Sequence, residues 1–145
     1  MNQARNQQYC QAYCQLFAGL SPTRINEFDA LVSEQVRFRD PFNDVHGREA
    51  MKAILGGMFE HTEAPRFVIH EQDVIGSHAW LRWEFSARIP VLGLLQVEGA
   101  SRLRFEEDTG RICEHLDYWD SAPFYLRLPL LGALLRLLRR RIARH

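Results

Sequence analysis

Past Pro65 the sequence changes period. Four runs, 66–75, 78–89, 95–105 and 111–119, alternate apolar with polar residues and are joined at Gly76-Ser77, at 90–93 and at Asp108-Thr109-Gly110. In the second run Leu81, Trp83 and Phe85 oppose Arg82, Glu84 and Ser86. In the third, Val97, Gly99, Ser101, Leu103 and Phe105 oppose Glu98, Arg102 and Arg104. Residues i and i+2 lie on one side of a strand, so each run has a face for a core and a face for water. Links this short make consecutive strands antiparallel.

The residues before that change follow a different spacing. Tyr9, Tyr13, Leu16, Phe17 and Leu20 recur at helical intervals, which predicts an amphipathic helix over 3–18 that stops near Gly19. Ser21-Pro22 reads as an N-cap and a first-turn proline, opening a second helix through Ile25, Phe28, Leu31 and Val32. A strand over 35–40 comes next, and Pro41 holds Asp40 extended and ends the pairing. Asn43-Asp44 is a turn, and Gly47 precedes a third helix with Met51, Ile54, Leu55, Met58 and Phe59 on its apolar side. Helices first and an antiparallel sheet afterwards predict an α+β domain in which the sheet wraps the helices. A chain of 145 residues that is 46% hydrophobic can bury one core, which places a single domain over 1–120.

Several function classes receive no support. The polar start Met1-Asn2-Gln3-Ala4-Arg5 has no apolar signal region, so a cytoplasmic protein is expected. Cys10 and Cys14 stand one helical turn apart and Cys113 stands alone, the pattern of free thiols. His46, His61, His70 and His78 are scattered without ligand spacing, and no phosphate-cradling glycine loop or G-x-S-x-G elbow occurs. Neither a metal nor another cofactor is expected.

The polar residues that do fall on apolar strand faces are few. Period two puts Val36, Phe38 and Asp40 on one face of the first strand, and Cys113, His115, Asp117 and Trp119 on one face of the last. Carboxylates and an imidazole held among bulky apolar neighbours can serve as acid or base, because desolvation and mutual charge tune them. A half-buried strand end with an ion pair, or a hydrogen-bonded core histidine, would produce the same pattern. Trp83 and Trp119 would form flat walls for a ring-containing ligand, with Phe38, Met51, Met58, Leu81 and Leu103 around them, or would simply be core.

The element order, the Asp40-Pro41-Phe42 step, Gly47 and the terminal run Gly110-Arg111-Ile112-Cys113-Glu114-His115 together resemble the nuclear transport factor two-like superfamily, in its SnoaL-like and ketosteroid-isomerase-like branches. The resemblance spans about residues 7–120. It implies a cystatin-like, cone-shaped curved antiparallel sheet closed by helices around a deep pocket for a small hydrophobic ligand, and a homodimer paired through the outer sheet face. It implies an isomerase or cyclase working by acid/base chemistry, or a binding module for a lipid-like or aromatic ligand. Asp40 matches the general base of the isomerase branch. The oxyanion pair of that branch is not matched: Leu16 or Phe17 stands at the tyrosine position, with Tyr13 a turn away, and Ser101 stands at the aspartate position. His115 and Asp117 face the same pocket in the resemblance.

The last 25 residues differ in charge. All 18 acidic residues lie in 1–120 with 12 basic ones, net −6, whereas 121–145 carries Arg127, Arg136, Arg139, Arg140, Arg141 and Arg144 and no acid. After Pro129 the leucines fill one half of a helical wheel and most arginines the other, which predicts a C-terminal basic amphipathic helix. It is too short to span a bilayer, which needs about 20 apolar residues. Packing on the body or on an anionic membrane surface are both open, while nucleic acid is disfavoured by the acidic body. Replacing Arg136, Arg139, Arg140 and Arg144 by glutamine is expected to leave folding intact and to weaken binding to anionic vesicles at low salt, as vesicle sedimentation would measure.

Overall fold

A computed structural model describes residues 2–126 together with Leu137 and Arg140. Apart from these two, the residues of the expected C-terminal basic helix fall outside those described. In chain order the elements are helix α1 (Gln3–Ala18), a 3-10 segment (Pro22–Ala30), strands β1 (Val32–Arg39) and β2 (Asp44–His46), helix α2 (Arg48–His61), strands β3 (Glu63–Ile75), β4 (His78–Ile89), β5 (Gly93–Phe105) and β6 (Ile112–Trp119), and a short helix α3 (Ala122–Tyr125). The fold is α+β. The six strands form one curved, unclosed sheet in the order β2-β1-β6-β5-β4-β3.

Helix α1 presents Cys10, Tyr13, Cys14, Leu16 and Phe17 to the core; Tyr13, Leu16 and Phe17 belong to the stripe that its spacing predicts, while Tyr9 and Leu20 are only partly buried against it. Its first turn is tied to the sheet by polar side chains. Gln3 Nε2 donates to the Val74 carbonyl at 2.7 Å and Asn6 Nδ2 to the Gly76 carbonyl at 2.9 Å, so the β3–β4 turn receives the helix start. The second expected helix is a 3-10 segment. Pro22 sits in its first turn as foreseen, but Ser21 makes no capping bond to the backbone and its hydroxyl meets Thr23 Oγ1 at 3.1 Å instead. Phe28 alone is buried there, too little apolar surface to hold a run containing Thr23, Asn26 and Asp29 as an α-helix. Helix α2 buries Met51 and Leu55, and its Lys52 ion-pairs with Asp29 at 2.8 Å.

The strands from β3 to β6 pair as consecutive antiparallel neighbours over nearly the predicted ranges. Two features of the first half were not predicted. The turn expected at Asn43-Asp44 is the Asp40–Asn43 bend, and it joins β1 to a further antiparallel strand, β2. Strand β1 also lies parallel to β6, with Phe38 opposite His115 and Arg39 opposite Leu116. Parallel neighbours need a long crossover, and here the whole of α2 to β5 supplies it.

One irregularity shifts the predicted face of β6. Arg104 pairs with Glu114 and Phe105 with Ile112, so Cys113 is the extra residue of a bulge. Ile112 therefore enters the core, and Cys113 leaves the face that His115, Asp117 and Trp119 share; its thiol donates to the Arg104 carbonyl at 3.4 Å. The outer face of the sheet carries Trp80 and Tyr118, with rings 6.1 Å apart and both exposed.

Gly99 lies opposite Trp83 on one side and Trp119 on the other. A Cβ there would stand 2.6 Å from the Trp83 ring and 2.9 Å from Trp119 Cβ, so the absent side chain is what lets both indoles lie on the inner face. Gly99→Ala is expected to displace an indole and cost about 1–3 kcal/mol, readable by chemical denaturation and by a shift in tryptophan fluorescence.

Candidate functional site

Between the sheet and the helices lies a cavity of about 270 Å³, just under the size at which small-ligand pockets begin. Strand β1 and the bend after it contribute Phe38, Asp40 and Phe42; α1 contributes Phe17; α2 contributes Ile54, Leu55 and Met58. The sheet adds Phe67, Leu81, Trp83, Phe85, Val97, Ser101, His115, Asp117 and Trp119, and α3 adds Phe124. Among the predicted residues, Asp40, His115, Asp117, Phe38, Met58, Leu81, Trp83, Ser101 and Trp119 thus meet on one wall system. Met51 and Leu103 do not: both are fully buried in the core and are absent from the lining. Period two and helical spacing assign a side, and depth along that side decides whether a residue touches the cavity or fills the core.

A chain of short hydrogen bonds runs through the polar part of the wall. Trp83 Nε1 donates to Ser101 Oγ at 2.8 Å, and Ser101 Oγ donates to Asp117 Oδ1. His115 Nε2 lies 2.5 Å from the same oxygen, and His115 Nδ1 lies 2.6 Å from Tyr13 Oη. Strand pairing creates the middle of this chain, because Ser101 sits directly opposite Asp117. Helix α1 supplies the far end. Tyr13 is fully buried, and burial, then the charge of Asp117, push its phenol well above the usual range, which keeps it a proton donor. Its bond to Nδ1 leaves the Nε2 proton for Asp117, so the phenol sets the imidazole tautomer. The sequence shows Tyr13 only as one more apolar-face residue of α1, and nothing in its spacing marks a partner 102 positions away.

Asp40 is placed differently. Its Oδ1 accepts from the backbone N–H of Phe42 at 2.8 Å and of Asn43 at 2.7 Å, and from Asn43 Nδ2 at 3.1 Å. The carboxylate closes the bend between β1 and β2, as aspartates do when they bond backbone two and three residues on. The bend holds Phe42 against Trp119, Phe124 and Tyr125, with ring centroids 5.5–5.8 Å apart, at the edge of the cavity. Neither Phe42 nor Phe124 is visible as a site residue in the sequence, since neither lies in a periodic run. Among the described residues no group of three His, Cys, Asp or Glu is placed to hold a metal ion, and no helix is long and apolar enough to cross a membrane.

Residues 13–115 match the SnoaL-like domain, more than half of the chain. The chain belongs to the SnoaL-like domain family. The matched stretch contains Asp40 and His115 and ends before Asp117. Solved SnoaL-like and related structures share the fold. TsrD from Streptomyces laurentii superposes with a TM-score of 0.69 at 22% identity, covering 92% of this chain and 98% of that one. A putative polyketide cyclase from Xanthomonas campestris pv. campestris gives 0.69 at 15% identity, over 86% and 96%. A hypothetical protein with a ketosteroid isomerase-like fold from Catenulispora acidiphila, solved in complex with trimethylamine, gives 0.69 at 17% identity, over 82% and 90%. At these identities the likeness is one of fold. No curated protein matches the chain.

The bonding of Asp40 has a direct consequence. Asp40→Ala is expected to lower stability by about 1–3 kcal/mol, because two backbone donors lose their acceptor, whereas Asp40→Asn keeps an acceptor at Oδ1 and should lose less than half as much. Denaturant melts of the two variants measure the difference.

Proposed function

We propose that this SnoaL-like domain binds a small hydrophobic, ring-bearing molecule in the cavity and moves a proton on it through Asp117, as an isomerase or cyclase does. The observation that carries this reading is the state of the Asp117 carboxylate. Oδ1 is fixed by Ser101 and His115, while no hydrogen bond among the described residues reaches Oδ2, and the residue lines the cavity. A base needs an oriented carboxylate with one lone pair left for the substrate. His115 and Ser101 keep the anion in place when it has given up its proton, and Tyr13 keeps His115 facing it; both are positioning roles. The proton taken from one atom of the substrate is returned to another, so the reaction is a rearrangement with no change of oxidation state.

The walls support a flat ligand. Phe38, Trp83 and Trp119 present aromatic surface around Asp117, and remote apolar contact can hold a ring while one polar atom reacts. The cyclase name of the Xanthomonas neighbour and the trimethylamine bound by the Catenulispora neighbour fit a small organic ligand of this kind. Asp40, the expected base, takes second place here because both its oxygens are engaged, Oδ1 by the backbone of the bend and Oδ2 by Asn43 Nδ2 at 3.3 Å.

The test is turnover in deuterium oxide. Wild-type chain is incubated with a panel of cyclic ketones, polyketide-like aromatics and cyclic amines, and mass spectrometry follows deuterium uptake or isomer formation. At least one compound should react about 100-fold faster with wild type than with Asp117→Asn. Binding of panel members with no turnover by wild type would leave a binding module and sink the catalytic reading.

A further inference from the structure

Gly99 leaves room for two indoles, and their N–H groups are used differently. Trp83 is buried, and its Nε1 donates to Ser101 Oγ at 2.8 Å. Trp119 is half-buried; its Nε1 stands open and has no hydrogen-bond partner among the described residues. The other side-chain N–H and O–H groups of the described wall are engaged. Ser101 Oγ donates to Asp117, the ring nitrogens of His115 meet Tyr13 and Asp117, and Thr62 Oγ1 donates to the Met58 carbonyl at 2.7 Å. Carboxyl groups apart, Trp119 Nε1 is therefore the one uncommitted side-chain donor among the described lining residues. Its ring is held in place, packed at the Gly99 gap and met edge-on by Phe42 with centroids 5.5 Å apart. Strand geometry sets this donor beside an open acceptor. Asp117 and Trp119 are i and i+2 on one face of β6, about 7 Å apart along the strand, and no hydrogen bond among the described residues reaches Asp117 Oδ2.

We infer that Trp119 orients the ligand: its indole N–H donates to a carbonyl oxygen of the ligand and so turns the neighbouring carbon toward Asp117 Oδ2. A wholly apolar ligand that drives water from the cavity leaves this N–H without a partner, and an unmet donor in an apolar enclosure is costly. A ligand with an oxygen beside its ring restores the bond, so the site rejects the analogue that lacks it. The same oxygen is where charge collects when Asp117 takes a proton from the carbon next to the carbonyl. The C–H electron pair delocalises onto the oxygen, and the proton passes to Oδ2 and is later returned to another atom of the ligand. A donor already aimed at that oxygen stabilises the charge as it forms. Ser101 cannot take this role, because its proton is spent on Asp117. The assignment rests on the cavity being the ligand site and holds with or without turnover.

Two probes of one shape test it: acetophenone, and α-methylstyrene, which keeps the ring and skeleton but has CH2 in place of the oxygen. The chain has three tryptophans, so the nitrogen-15-labelled full chain gives three indole N–H signals in a proton–nitrogen correlation spectrum, and that of Trp119 is assigned through its own backbone. It should move further downfield with acetophenone than with α-methylstyrene, whose ring supplies the same ring-current shift. By calorimetry acetophenone should bind wild type about tenfold more tightly than α-methylstyrene. Trp119→Phe keeps an aromatic wall and loses the N–H; with folding checked by circular dichroism, the preference should vanish while α-methylstyrene affinity holds. Equal binding of the two probes by wild type, or acetophenone binding that leaves the Trp119 indole signal where α-methylstyrene puts it, would overturn the inference and leave the cavity a ligand site. A preference that survives Trp119→Phe would overturn it too. If neither probe binds, the reading of the cavity as a ligand site falls with it.

Discussion

The parallel pairing of β1 with β6 is the contact on which the rest of the site depends. It sets Phe38 beside His115 and Arg39 beside Leu116, and so brings the end of β1, with the Asp40 bend, next to the stretch of β6 that carries Asp117 and Trp119. These segments are far apart in sequence, and closing them requires the intervening helix and three antiparallel strands to be in place. The antiparallel meander could form by local steps. The parallel pair cannot, because its crossover is nearly the whole domain.

From that pairing the polar interior follows in order. Strand β5 meets β6 with Ser101 opposite Asp117, and Trp83 on β4 reaches Ser101 across the Gly99 gap. Helix α1 then closes the chain from the other side with Tyr13 on His115. Tyr13, Trp83, Ser101 and His115 are buried, Asp117 is half-buried, and each would be costly if left unpaired, so the five side chains stabilise one arrangement as a set. The arrangement is also what gives Asp117 its character. Its partners, Ser101 and His115, meet one oxygen, and no hydrogen bond among the described residues reaches the second.

Most of the scaffold was legible in the sequence because its strands each bury one face. Leu81, Trp83 and Phe85 on β4 and Val97, Ser101 and Leu103 on β5 lie on the inner side as their alternation requires. The same logic put His115, Asp117 and Trp119 together. It failed at Cys113 and Ile112, where a bulge inserts one residue and exchanges the faces, since a period carries no signal of its own interruption. It also carried no sign of what holds Asp40. The sequence shows a carboxylate beside proline and phenylalanine, but the backbone donors of Phe42 and Asn43 that occupy it exist only once the bend is formed.

What the sequence by itself determined is the class of fold and the side of each strand, because hydrophobic period is a local property that the chain carries before it folds. What only the tertiary structure decided is which of those inward residues touch one another and which border empty space. Met51 and Leu103 became core while Met58 and Trp83 became wall, and Tyr13 became the partner of His115. Contacts of that kind depend on the depth and angle at which distant elements meet, and these are set by packing of the whole domain, not by any one segment of it.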